Sequence, residues 1–203
     1  MAKRPHEVPS RSYQDLRTVA ADFLTEYHPV GSIPVPIEEI VEFKFHLDII
    51  PIEGMLYGQD VYAFVSRDMT SISVDSYIQE NVPSSYRLSL AHELAHLLIH
   101  PDIIGQYEFD NLAEWKAVVA GIDEMVFAEF EWQAIELASL MLVPQGPLAA
   151  EFGKAVAKIR AAGMSLEKAK EAGRLIVEDN LARRFVVPRF VITDRTGRDG
   201  LWP

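Results

Sequence analysis

Apolar residues fall along this chain at two different spacings, and the change between them divides the sequence. From Ser12 to Tyr27 the residues Leu16, Val19, Ala20, Phe23 and Leu24 share one side of a 3.6-residue period, which predicts an amphipathic helix with Ser10 or Ser12 at its N-cap. A turn-rich connector, Gly31-Ser-Ile-Pro-Val-Pro36, separates it from a short predicted helix over Ile37 to Phe43 that follows a proline. The spacing then becomes β-like. His46 to Pro51, Val61 to Val65 and Ser71 to Val74 read as strands, and the polar turn Ser66-Arg-Asp-Met-Thr70 predicts antiparallel pairing of the last two. From Pro83 onward the pattern is helical. Ser85 to His100 is a strongly apolar helix stopped by Pro101. Pro101 to Asn111 is looser, and Leu112 to Ala120 is helical again. Glu124 to Leu142 is a second apolar helix, stopped by Pro144. Pro147 to Ala162 and Ser165 to Arg184 are divided by Gly163, with Ser165 as a cap, and Val186 to Pro203 forms a short end. The expected class is α+β: a small, mostly antiparallel sheet packed on a helical core. Residues 1–150 are expected to form one domain, and 151–203 a helical C-terminal extension packed on it.

With 203 residues, 49% of them hydrophobic, the chain can bury a core of that size. It has no cysteine, which excludes a disulfide scaffold and leaves His, Asp and Glu as the only ligand types for a metal. The polar start, Met1 to Ser12, does not read as a signal peptide. No apolar run reaches the length of a membrane span, so a cytoplasmic location is expected. The net charge of −11 is uneven. Lys154 to Arg198 carries 11 Lys and Arg against 5 Asp and Glu, a balance of +6, while the remainder stands at −17. Most of the chain should therefore repel nucleic acid. The basic quarter reads as a solvated helical face rather than a phosphate-binding surface.

Chemistry concentrates in Ala91-His-Glu-Leu-Ala-His-Leu-Leu-Ile-His100. Four residues apart on a helix, His92 and His96 share a face about 6 Å apart along the axis, and both imidazoles can converge on one Zn²⁺. Glu93 lies beside that face, placed to act as general base on a metal-activated water without being a ligand itself. Composition alone would produce such a pentad in a chain of this length with a chance of roughly 0.03, so context has to decide. The context is an otherwise apolar helix, Leu88 to Ile99, in which two histidines and a glutamate would be costly without partners. The plain alternative is a pair of satisfied core histidines beside a surface glutamate.

A catalytic zinc takes a third protein ligand. His100 is near in sequence but about 12 Å from His92 along the same axis, so it reads as a helix-end or supporting residue rather than a ligand. Glu131 is the better candidate. It shares a stripe with Phe127, Ala128, Ala134, Ile135, Ala138 and Leu142, while Glu129, Gln133 and Glu136 are expected on the opposite, polar face. A carboxylate on a core-facing stripe needs a partner, either a metal or a buried cation. Asp123 and Glu124, at the start of that helix, are weaker alternatives with the character of caps.

Beyond these residues, the run Tyr86-Arg-Leu-Ser-Leu-Ala-His-Glu-Leu-Ala-His-Leu-Leu-Ile-His100 resembles the RFTLAHELGHxLLH segment of the ImmA/IrrE family of metallo-endopeptidases. Glu131-Trp-Gln-Ala-Ile-Glu-Leu-Ala-Ser-Leu-Met-Leu-Val-Pro144 is similar to that family's ExxANxFAxxLLMP segment. The likeness covers roughly Ile37 to Pro144, with a weaker echo at Leu181-Ala-Arg-Arg-Phe-Val-Val187. Ile135 stands where the family has Asn, Leu137 where it has Phe, and the stretch from His100 to Glu131 is longer than usual, with room for an extra helix. The resemblance implies zinc held by His92, His96 and Glu131, Glu93 as general base, and a small sheet packed on a helical zinc-peptidase core. It also implies a helix-turn-helix repressor as the protein substrate, cleaved to relieve repression. Candidate oxyanion donors by neighbourhood are Tyr62, Tyr77, Tyr86 and Arg87, and the Ser71–Val74 strand could align an extended substrate. A different class of reading is a non-hydrolytic regulator with a structural zinc that binds a repressor or a toxin–antitoxin partner. A third, direct DNA binding through Leu181 to Arg195, is opposed by Pro188 and by the charge of the body.

Overall fold

The computed structural model describes residues 8–106, 108–109, 111–163 and 166–202. Ser165, expected to cap a helix, lies outside them. The first helix, α1 (Tyr13–Tyr27), begins at a reciprocal cap: Ser12 Oγ accepts from the Asp15 N–H, and Asp15 Oδ2 accepts from the Ser12 N–H at 2.8 Å. Its stripe Leu16, Ala20 and Phe23 is buried. The next helix, α2 (Ile37–Phe43), follows Pro36 as expected.

Three strands come next: β1 (Asp48–Ile52), β2 (Ala63–Val65) and β3 (Ser71–Asp75), in the order β1-β3-β2. The two runs flanking the polar turn pair antiparallel, Phe64 opposite Ser73. In that turn Asp68 Oδ1 accepts from Ser66 Oγ and Thr70 Oγ1, and Met69 takes a positive φ of 58°. The strand β1 joins the other side of β3 in parallel, Ile50 opposite Ser73, so the sheet is mixed and β3 is its buried centre. Substrate alignment on Ser71–Val74 is thereby overturned. The ladder positions of that strand are filled on both sides, and the edge nearest the His92 helix belongs to β2.

Two short helices lie in stretches with no helical period: α3 (Met55–Gln59) and α4 (Ser76–Asn81). One fully buried carboxylate, Asp75, holds both. Its Oδ2 accepts from the Leu56 N–H at 2.9 Å, and its Oδ1 caps α4 at the Ile78 N–H at 3.1 Å.

The helical half contains α5 (Pro83–Ile99), α6 (Pro101–Ile104), α7 (Leu112–Ala120), α8 (Glu124–Leu142), α9 (Gln145–Ala161), α10 (Leu166–Phe185) and α11 (Arg189–Arg198). The α5 helix starts with Pro83 at its first position and carries buried Leu90, Ala91, Leu94 and Ala95 against α8. The α8 helix is itself closed in from Gln133 onward. Gln133 and Glu136, expected on a polar face, are 0% and 6% exposed, because α1, α5 and α11 surround this helix. The short end expected after Val186 is in fact a ten-residue helix, α11, with Pro188 at its N-cap.

Candidate metal centre

Burial on α5 and α8 brings the expected ligands together. His92 Nε2 and His96 Nε2 lie 3.0 Å apart, Glu131 Oε2 is 3.1 Å from His92 Nε2, and Glu131 Oε1 is 3.4 Å from His96 Nε2. One donor atom from each residue falls within 4.8 Å of the others, and no further group of three such residues occurs among the described residues. Donors at about 2.0–2.1 Å on the corners of a tetrahedron stand roughly 3.3–3.4 Å apart. The observed separations are close to that, so this two-nitrogen, one-carboxylate set fits a small divalent cation. His92, His96 and Glu131 would hold it, leaving a fourth position open to the cleft.

Charge supports the same geometry. Burial pushes the Glu131 carboxyl up, but hydrogen bonds and charge from His92 and His96 outweigh it and hold the group well below the usual carboxylate range. His92 is pressed down by burial and lifted further by Glu131, so the net direction is up. His96 is pressed down to about 4, chiefly by burial, and is neutral with a lone pair to offer. The nonligand carboxylate, Glu93, is 8% exposed. Burial lifts it to about 7, with His92 pulling it down and Glu131 pushing it up. Its Oε2 accepts from the Val65 N–H at 3.0 Å, which ties the carboxylate to the sheet edge.

Other residues singled out in the sequence fall elsewhere. His100 is 1% exposed and sits behind His96, with Nδ1 3.1 Å from His96 Nδ1 and Nε2 3.1 Å from Gln133 Oε1. Asp123 caps α8 through the Met125 and Val126 N–H groups, and Glu124 is exposed. The Tyr86 hydroxyl donates to Glu38, and Arg87 donates to the Val186 and Val35 carbonyls, so both are engaged in the scaffold. Tyr77 is half-exposed and packs edge-on against Tyr57. Of the four candidate donors, Tyr62 alone lines the cleft. Sequence reasoning missed Phe130, whose ring stacks on both His96 (4.2 Å between centroids) and His100 (4.4 Å). It also missed Gln133. Their spacing from Glu131 was visible, but the absence of a solvent face on α8 was not.

The centre opens into a cleft of about 490 Å³. Its floor is His92, Glu93, His96 and Glu131, and its walls are mostly apolar. The helix α7 has no buried residue, yet Trp115, Val118 and Val119 face this space across from Val126 and Phe127. This is the extra helix that the long stretch after His100 had room for.

An α+β frame that joins a His-Glu-x-x-His helix to a glutamate on the next long helix defines a metallopeptidase-type centre. The sequence model of the M78 peptidase family, the IrrE N-terminal-like domain, matches residues 77–196, and the chain belongs to that family. No curated protein matches it. Among solved structures it resembles a Mycobacterium tuberculosis transcriptional regulator, with a TM-score of 0.55 at 16% identity over 90% of this chain. The chain spans 46% of that protein's length, and at this identity the likeness is one of fold. No helix among the described residues is long and apolar enough to cross a membrane.

Proposed function

We propose that the chain is a zinc-dependent endopeptidase whose substrate is a helix-turn-helix repressor. The observation that carries the hydrolytic reading is the triangle of His92, His96 and Glu131 donors with Glu93 beside it, all four lining one cleft. When bound, zinc supplies Lewis acidity, polarising the scissile carbonyl and bringing a water molecule's pKa toward 7. Glu93 takes the proton from the attacking water and returns it to the leaving amine, a task suited to a carboxyl lifted to about 7. Val65 holds one carboxylate oxygen in place, so the other is free to handle the proton. Substrate lies extended along the outer edge of β2, where Ala63 offers backbone groups turned away from β3. Tyr62, the one candidate donor that lines the cleft, is the residue we assign to meet the developing oxyanion. The repressor as substrate rests on the family resemblance.

The test is incubation of the zinc-loaded protein with the repressor encoded nearest to it, followed by mass spectrometry of the fragments. Wild type is expected to cut at a defined bond, and Glu93→Gln to lose about 10²–10⁴-fold in rate while still binding zinc. An uncut repressor, or full cleavage by Glu93→Gln, overturns the reading. Loss of repressor control in His92→Ala with none in Glu93→Gln would instead assign the metal a structural role.

A further inference from the structure

The polar groups behind His96 form a chain in which each proton has only one place to be. Gln133 is 0% exposed. Its Nε2 lies 2.9 Å from the Pro9 carbonyl and 2.7 Å from Glu129 Oε1, and neither of those groups has a proton to give. The amide orientation follows, since a flipped side chain would set its oxygen against two acceptors. Gln133 Oε1 is therefore the group that meets His100 Nε2, and His100 must donate to it at 3.1 Å. A neutral imidazole carries one N–H, so His100 Nδ1 is bare. It lies 3.1 Å from His96 Nδ1, which must then donate to it. The proton of His96 is thus fixed on Nδ1, and its Nε2 faces His92 and Glu131 with the lone pair free. Phe130 stacks on both rings at interplanar angles of 25° and 26° and keeps them in register.

We infer that Gln133 and His100 are positioning residues that lock His96 in the Nδ1–H tautomer and so prepare its Nε2 to bind the metal. The inference rests on the reading of His92, His96 and Glu131 as ligands. It concerns His96 alone, since among the described residues no such chain stands behind His92. Without the relay, a buried neutral His96 distributes its proton over both nitrogens, and the Nε2–H form has to reorganise before it can ligate. Partners that orient ligating histidines in this way are worth about 10- to 100-fold in metal affinity.

The test has two readouts, neither of which needs substrate. Long-range ¹⁵N–¹H correlation spectra of the metal-free wild type report the protonated nitrogen of each imidazole. The expected result is His96 protonated at Nδ1 and His100 at Nε2. A His96 proton on Nε2 overturns the inference without any variant. The second readout is Zn²⁺ affinity by competition with a chelating dye. Gln133→Met and His100→Phe are expected to bind zinc about 10- to 100-fold more weakly than wild type, with metal-free Gln133→Met showing mixed tautomers at His96. Wild-type affinity in Gln133→Met and His100→Phe, or a His96 that keeps a single Nδ1–H tautomer in metal-free Gln133→Met, overturns the relay. No zinc binding by wild type would sink the ligand assignment instead.

Discussion

Glu93 and the two histidines behind the cleft respond to acid in opposite directions, and the balance fixes how the metal-free protein behaves. His96 and His100 titrate near 4 in the folded protein against 6.5 when unperturbed. As pH falls below 6.5 the unfolded chain takes up their protons first, so folding is weakened between about 6.5 and 4. Glu93 is lifted from 4.5 to about 7. The folded protein holds its proton first, so acidification from about 7 to 4.5 strengthens folding. His96 and His100 act one way and Glu93 the other across pH 6.5 to 4.5, with Glu136, also lifted by burial, a smaller addition on the side of Glu93. The metal-free protein is therefore expected to lose stability over that interval, with the midpoint of thermal unfolding falling as pH is lowered. Glu93→Gln removes the opposing contribution and should make the fall steeper. A flatter profile for Glu93→Gln than for wild type, measured by circular dichroism at several pH values, would contradict the assignment of the shift to Glu93. At this scale the sequence was informative about types and spacing, since His92, Glu93, His96 and Glu131 were all identifiable. It was uninformative about partners. Gln133 reaches His100 and Pro9, 33 and 124 residues away, and no local pattern encodes such contacts.

Elements show the same division. Where an apolar period ends at a proline or begins at a capping side chain, local chemistry decides the boundary. The helices α2, α7 and α8 run over the residues that the pattern predicts. The helices α3 and α4 were not legible because Asp75, which anchors both, stands 19 residues from the Leu56 N–H it accepts from. Parallel pairing of β1 with β3 was likewise invisible, since a strand's apolar pattern does not specify its neighbour's direction. Among the elements α7 carries the clearest functional consequence. With no buried residue of its own, it contributes little to the core, and its apolar face is spent on the cleft. Trp115 lies 6.1 Å, ring to ring, from Phe64 on β2, so it closes the cleft beside the proposed substrate edge. Trp115→Ala together with Val118→Ala is expected to leave zinc affinity unchanged. KM for peptides with a bulky apolar residue next to the cut bond should rise about tenfold or more. Steady-state kinetics on a paired set of peptides, one with that residue replaced by alanine, checks this. An equal effect on both peptides would mean that α7 does not read the side chain.

Across the whole molecule, residues 151–203, expected as an extension packed on residues 1–150, reach into the core of the helical half through Arg195. This side chain is 0% exposed and donates to the Ser139 carbonyl, which also accepts from the Val143 N–H, and to the Val143 carbonyl at the C-cap of α8. Its Nη2 pairs with Asp199 Oδ2 at 3.1 Å, and Asp199 also faces Arg17 of α1 at 3.7 Å. The guanidinium thus closes the negative end of the helix that presents Glu131. Phe185, Val191 and Ile192 belong to the same apolar cluster as Leu16, Leu90 and Leu142, so the core runs across residue 150 without a break. The family match likewise runs through it. Much of the basic charge of this region is used internally: Lys154, Arg174, Arg184, Arg189, Arg195 and Arg198 all have carboxylate partners. The proposal is that the chain folds as one cooperative unit. A chain ending at Ala150 should fail to give a cooperative transition, because α8 would lose its cap and its apolar cover together. Arg195→Met, which keeps the packing but takes from the buried Asp199 its nearer cation and from the Val143 carbonyl its donor, should cost about 3 kcal/mol or more. In urea, far-ultraviolet circular dichroism and tryptophan fluorescence of the full chain should report one coincident transition, with Trp202 near the C-terminus following the rest. Two separate transitions, or a folded 1–150 fragment, would overturn the proposal and make residues 151–203 a separable extension. The metal centre would then depend on residues 1–150 alone, and Arg195→Met would leave zinc affinity and its midpoint in urea unchanged.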